Sequence, residues 1–293
     1  MGRGKIGRFR SPSSRARYDA VYDEGLRALP EPAAVHDVPT GFGTVRVYRF
    51  GSGGQPLVLL PGRGGTSVMY RANIPLLAQH HRVHTVDLLG EPGRSEQTVP
   101  IRNAEDQARW LDETLAGLDL GAAHLFGVSI GGWLAGNLAV RRPARVASVT
   151  LVDPVSTFAP LPLGMVLRAI PVNLPYVSSW ARPRFLAWID GQRGVDPADH
   201  IEGRLISAGM QHFRIALPPP VPFTDRQLRD IRVPVLAIIA GRSVVHDPRR
   251  ALARAETLLP HGEAELWPGA THAIAGRYAD EISERVLRFL AGR

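Results

Sequence analysis

The stretch AHLFGVSIGGWLAGNLAV, residues 123–140, holds the key to the architecture. Its first six residues, Ala123–Val128, form an apolar run of the strand type, and Ile130–Val140 has helical periodicity. One residue, Ser129, stands between them, flanked at two removes by Gly127 and Gly131. A strand that becomes a helix through a single residue turns so tightly that neither flanking position can house a bulky side chain. The two glycines meet that demand. The turn lifts the serine above the sheet, its oxygen at the positive end of the following helix. Ser129 is the candidate nucleophile; the alternative use of its hydroxyl is to cap that helix.

On either side of this stretch, strand and helix patterns alternate with short links. Upstream lie a helical pattern near Ala16–Leu29, an alternating strand at Thr44–Phe50, the apolar run Pro56–Leu60 and a helical stretch to about His80. A strand at Arg82–Asp87 and a helix at Ala104–Leu118 follow. Downstream, Val146–Val152 reads as strand. The alternation resumes at Val233–Ile239, with a helix near Arg249–Leu259, a strand at Ala264–Trp267 and an amphipathic helix at Asp280–Leu290. Such an order means βαβ units and a parallel sheet. Residues 155–226 interrupt it with scattered prolines, the run Pro218-Pro219-Pro220, and many Leu, Phe, Trp and Met residues. They read as an insertion, a partly apolar flap over the C-terminal edge of the sheet, where open α/β sheets bind ligands.

With 293 residues, 44% hydrophobic and 21% charged, the chain is ordinary globular material, which excludes disordered, collagenous and coiled-coil readings. No run approaches the ~20 apolar residues of a membrane span, so no stable membrane insertion is expected. The basic N-terminus lacks the apolar stretch of a secretory signal, and cysteine is absent. A cytoplasmic location is the default, and disulfides, thiolate metal sites and a cysteine nucleophile are excluded. The net charge of +8 is concentrated: residues 1–17 carry six basic side chains and no acid, and the remaining 276 residues are near neutral. The body is therefore not expected to bind nucleic acid, and the arm reads as a solvated, frayed tail.

A serine hydroxyl needs a base. Of ten histidines, His80, His81 and His84 form a cluster without an acid, so no metal site is expected there. His272 lies in the loop Pro268–Ala273, after the last strand and before the last helix, which puts it at the same sheet edge as Ser129. The negative charge that develops on a carbonyl oxygen needs preorganised N–H donors. The backbone amides of Ile130, next to the serine, and of Arg63, in the Gly-rich loop after Leu60, are suitably placed. That loop lacks the Gly-Lys-Ser/Thr and Gly-x-Gly-x-x-Gly spacings of nucleotide sites.

Together these residues resemble the α/β-hydrolase superfamily over about residues 34–293. More closely, VPTGFGTVRVY, DLLGEPGRS and the HDP segment after the seventh strand are similar to bacterial carboxylesterases that cleave arylpropionate esters. The resemblance implies a mostly parallel eight-stranded sheet flanked by helices, with a helical cap inserted after the sixth strand. On that plan residues 1–33 are the basic arm and N-terminal helix. Residues 34–154 and 227–293 form the core, and 155–226 the cap. It also implies the chain order nucleophile, acid, histidine, which Ser129 and His272 bracket.

The acid departs from the pattern. The superfamily usually places it a few residues past the seventh strand, where this chain has Ser243 and Val244. Two carboxylates could stand in. Asp153 closes the sixth strand, where some superfamily members carry their acid. Asp247 comes three or four residues late and precedes Pro248, where it suits a helix cap. Asp153 is the expectation and Asp247 the alternative.

The resulting expectation is a serine hydrolase for a carboxylic ester with a hydrophobic acyl or aryl group, without metal or organic cofactor. Its partner would be a small hydrophobic ester. The same triad can run acyl transfer, cyclisation or C–C hydrolysis, and without an acid the fold could serve as a non-enzymatic binding protein.

Overall fold

The computed structural model describes residues 5–173, 178–191 and 199–292. In chain order the first elements are β1 (Arg8–Phe9), α1 (Pro12–Arg27), β2 (Ala34–Thr40), β3 (Gly43–Phe50) and β4 (Pro56–Leu60). Next come α2 (Ile74–Leu77), β5 (Arg82–Val86), β6 (Glu96–Gln97), α3 (Ala104–Gly117), β7 (Ala123–Val128), α4 (Ile130–Arg141) and β8 (Val146–Val152). After β8 come α5 (Leu163–Ala169), α6 (Ser178–Asp190), α7 (Ile201–His212), β9 (Phe213–Arg214) and α8 (Asp225–Arg229). The chain closes with β10 (Val235–Ala240), α9 (Pro248–Leu258), β11 (Gly262–Trp267), α10 (Ile274–Arg277) and α11 (Ala279–Leu290).

The main sheet runs in the order β11-β10-β8-β7-β4-β5-β3-β2, with the short β6 attached to β3. From β5 to β11 the pairings are parallel, and β3 pairs antiparallel with β5, β2 and β6. Period-two alternation sorts each central strand between two cores. In β10, Val235, Ala237 and Ile239 join one core with α3, α4 and α9, whereas Leu236, Ile238 and Ala240 join the other with α2 and α11. Because both faces are covered, these strands read as unbroken apolar runs. Strand β7, the strand that leads to Ser129, sits mid-sheet between β4 and β8.

The described part of residues 155–226 is mainly helical, and its one strand, β9, pairs with β1 rather than with the main sheet. Residues 174–177 and 192–198 of the expected cap, and 1–4 of the arm, lie outside the described residues. From Lys5 the arm departs from the frayed-tail expectation. The Gly7 amide donates to Gln97 Oε1 at 2.7 Å, and Phe9 stacks edge-on against Phe213 at 4.9 Å. Burial of this aromatic pair, with Tyr18 beneath it, offsets the entropy of ordering the arm.

Helix α1 is fastened to the sheet by a buried carboxylate. Asp87, at the end of β5, accepts from the Tyr22 hydroxyl at 2.7 Å, from the Arg94 amide at 2.8 Å, and from the Ser67 amide and hydroxyl at 3.2 Å. Burial pushes the Asp87 carboxyl up, against the pull of these donors. Tyr22→Phe removes one donor from a carboxylate that water cannot reach, and is expected to cost about 1–3 kcal/mol. Urea denaturation checks it; an unchanged midpoint would contradict the role given to Asp87. Among the described residues no helix is long and apolar enough to cross a membrane.

Candidate active site

The turn between β7 and α4 is as tight as its glycines imply. A Cβ on Gly127 would lie 2.3 Å from the Gly131 carbonyl oxygen, and one on Gly131 only 1.9 Å from that of Leu60. No side chain larger than hydrogen fits at either position. Ser129 itself is held at φ 53°, ψ −114°, in the left-handed half of backbone space. Such a conformation costs on the order of 1–3 kcal/mol and persists only where the surroundings over-determine it. Its amide donates to Val152 O at 3.0 Å and its carbonyl accepts from Trp133 N at 3.1 Å. The Ser129 hydroxyl makes no cap to α4, so the capping alternative is not realised.

That hydroxyl lies 3.0 Å from His272 Nε2, and His272 Nδ1 lies 2.5 Å from Asp153 Oδ2. Asp153 follows β8 directly at φ 43° and is fully buried. A carboxylate can only accept, so Nδ1 carries the proton and Nε2 of the neutral ring accepts from the serine O–H. Asp247 is elsewhere: it N-caps α9, accepting from the Arg250 amide at 3.0 Å.

Two further side chains close on Asp153. The Ser243 hydroxyl donates to Oδ2 at 2.7 Å, and the buried His246 places Nε2 3.0 Å from Oδ1, which also accepts the Ala240 amide at 3.0 Å. Burial by itself would raise the Asp153 carboxyl. The His246 and His272 rings set against its two oxygens outweigh it and hold the group well below the usual carboxylate range. The Asp153 carboxyl is thus ionised in the neutral range. Sequence reasoning missed Ser243 and His246 as its partners.

The Gly-rich loop after β4 borders the serine: a Cβ on Gly62 would sit 3.5 Å from that of Ser129. Among the described residues neither the Arg63 nor the Ile130 amide has an acceptor. Glu91, buried in the loop after β5, grips this segment from behind. Its Oε2 accepts the Gly64 amide at 3.3 Å and its Oε1 lies 3.1 Å from Arg63 Nη1. The inserted segment leans over both loops. A Cβ on Gly64 would meet Ile206 of α7 at 3.6 Å, and one on Gly191, just past α6, would meet Thr271 at 2.8 Å. A cleft beside Ile130 is lined by Arg63, Leu88, Trp133, Leu217, Pro218 and Pro220, among others. The inserted segment borders it through Leu217, Pro218 and Pro220.

His80, His81 and His84 do not converge. His81 and His84 each turn Nδ1 to a backbone carbonyl, of Gln55 and Arg82, and no metal-holding group of three or more His, Asp or Glu occurs among the described residues.

Known proteins carry the same plan. Residues 55–189 match the model of the α/β-hydrolase fold family. The uncharacterized carboxylesterase nap of Bacillus subtilis (strain 168) is 30% identical over 281 residues, covering 93% of this chain and 92% of its own. The crystal structure of naproxen esterase (carboxylesterase NP) from Bacillus subtilis superposes with a TM-score of 0.87 at 29% identity, over 95% of this chain and 99% of that one. The structure of Bacillus subtilis carboxylesterase CesB (YbfK) gives 0.89 at 27% identity, over 96% and 99%. With the sheet order, the glycine-flanked serine and an end-to-end relative in agreement, the chain belongs to the α/β-hydrolase family.

Proposed function

We propose that the protein is a serine hydrolase that cleaves a carboxylic ester with a hydrophobic acyl or aryl group through an acyl-enzyme. The observation that carries the reading is the unbroken relay Asp153 Oδ2–His272–Ser129 Oγ, with links of 2.5 and 3.0 Å. Ser129 Oγ attacks the ester carbonyl while His272 Nε2 takes its proton. Asp153 holds the ring in the tautomer that makes this possible and stabilises the imidazolium. The carbonyl oxygen, now an oxyanion, rests on the amides of Arg63 and Ile130. Collapse expels the alcohol, which receives the proton from His272. A water then attacks the acyl-enzyme, again with His272 as base, and releases the acid and free Ser129. No metal or organic cofactor takes part.

Residues 155–226 act in this reading as a cap that shields the site from water and supplies apolar wall. The carboxylesterase names of relatives aligned along nearly the whole chain support hydrolysis over transfer. The test is a series of aryl esters with lengthening acyl chains: kcat/KM should rise with apolar length. A preference for acetyl over all longer groups would overturn the hydrophobic assignment.

Glu91 anchors the loop that offers the Arg63 amide, so its loss should blur an oxyanion donor without touching the substrate. Removing such a donor outright costs about 10²–10³ in turnover. Glu91→Ala is expected to lose a part of that, about tenfold in kcat with KM little changed. Steady-state kinetics check it, and an unaltered kcat would free Glu91 from this role.

A further inference from the structure

The short ribbon that ties the arm to the cap carries an unusual arrangement of charge. In the antiparallel pair β1·β9, Arg8 stands directly opposite Arg214 and Phe9 opposite Phe213. The phenylalanines turn inward. The next register position brings the Arg10 amide to the His212 carbonyl at 2.9 Å, so the outward face reads Arg8, Arg10, His212, Arg214. Like charges opposite one another in a ribbon are destabilising and need a reason.

The neighbouring helices add to this face instead of neutralising it. Arg17 of α1 and Arg182 of α6 lie close enough that, after burial, they and Arg10 push His212 down, and Arg10 does the same to Arg182. Acids on α1 are engaged elsewhere: Asp19 with Arg15 and Arg94, Asp23 with Arg94, Glu24 with Arg204. Among the described residues none of these five arginines has a carboxylate partner, and Arg182 Nε is buried without an acceptor. Other arginines do find carboxylates, as at Arg46, Arg145 and Arg285. On the ribbon, then, five arginines without a carboxylate partner gather on one outward face and its flanking helices.

The same cap exposes an apolar stripe. Leu163, Val166 and Leu167 of α5 and Ile170, which caps it, are 71, 46, 56 and 51% exposed, at the i, i+3, i+4, i+7 spacing of one helix face. A bilayer is the polyanion that also buries apolar side chains. Nucleic acid offers no such burial, and the outward face of the ribbon carries no Phe, Tyr or Trp ring on which a base could stack. A free phosphate would want an enclosed pocket, whereas Arg8, Arg10, Arg17 and Arg214 are all exposed.

We propose that the face formed by Arg8, Arg10, Arg17, Arg182, His212 and Arg214 docks the protein on an anionic phospholipid surface. The arginines meet the headgroup phosphates, and the apolar side of α5 contributes contact with the acyl boundary. The association is peripheral and adds no membrane span. It is independent of the esterase reading, because binding can be measured without turnover.

The experiment is co-sedimentation of the full chain with vesicles of phosphatidylcholine, with and without phosphatidylglycerol, at low and high salt. Binding should require phosphatidylglycerol and fall steeply with salt. At the roughly fivefold that each surface arginine contributes, Arg8→Gln/Arg17→Gln/Arg214→Gln should weaken binding roughly a hundredfold. Its melting temperature should hold or rise, since the facing like charges are gone. Leu163→Ser/Leu167→Ser should weaken binding while keeping its salt dependence, and Arg226→Gln/Arg288→Gln should change nothing. Failure to bind phosphatidylglycerol vesicles at low salt, binding that survives the triple substitution, or binding to an oligonucleotide in place of vesicles would each overturn the proposal.

Discussion

Ser129→Ala is expected to remove ester hydrolysis by about six orders of magnitude, the loss seen when the serine of such a triad is deleted. The fold should survive. The Ser129 hydroxyl bonds to His272 alone and does not cap α4, and alanine can occupy the same backbone position at the same strain. The sharper form is Ser129→Gly. Glycine adopts φ 53° without penalty, so this variant should lose as much turnover and yet melt at a higher temperature than the wild type. A variant dead in turnover and more stable in the melt separates a strained catalytic residue from a structural one. Turnover within a few-fold of wild type in either variant would remove the serine mechanism.

Asp153→Asn should cost about 10⁴-fold in turnover, because an amide in place of the carboxylate presents the wrong tautomer of the base and leaves the imidazolium unstabilised. Asp247→Asn should leave turnover within a few-fold. Its cost is at most about 1 kcal/mol of α9 stability, since asparagine caps nearly as well. The reverse ranking would move the acid to Asp247, and indifference to both would leave a dyad. Stability follows its own sign. The folded Asp153 carboxyl lies below the unfolded value of about 3.9, so its contribution is present above that value and lost as pH falls toward the folded one. The stability gap between wild type and Asp153→Asn should therefore narrow on acidification below about pH 4.

What was legible in the sequence follows from how locally each feature is written. Strands β7 and β8 have the limits their apolar runs suggested, because burial on both faces leaves no ambiguity of register. The helix read up to His80 was less continuous: the chain forms a one-turn 3-10 segment at Ser67–Tyr70, then the four-residue α2. Asn73, between them, spends its side-chain amide on Ala279 O and Ser283 Oγ, a tertiary contact some 200 residues away. The ordered arm was invisible for the same reason, since its partners, Phe213 and Arg214, have no local signature.

The acid shows both sides. The lack of a carboxylate at Ser243 and Val244 was plain, and it made Asp153 the expectation with Asp247 as the alternative. The uses of Ser243 and His246 were not legible. They depend on the parallel register of β8 on β10, which sets Val152 beside Ile238 and sends the Asp153 amide to Ile238 O at 2.8 Å. Only then does the loop after β10 reach the carboxylate, and Ser243 donates to it.

The most direct test of a serine nucleophile served by Asp153 is reaction with a fluorophosphonate probe, followed by mass mapping of the adduct. The wild type should take up one equivalent, on Ser129, and Asp153→Asn should react far more slowly than Asp247→Asn. No adduct, an adduct on any other residue, or equal rates for the two aspartate variants would contradict the account.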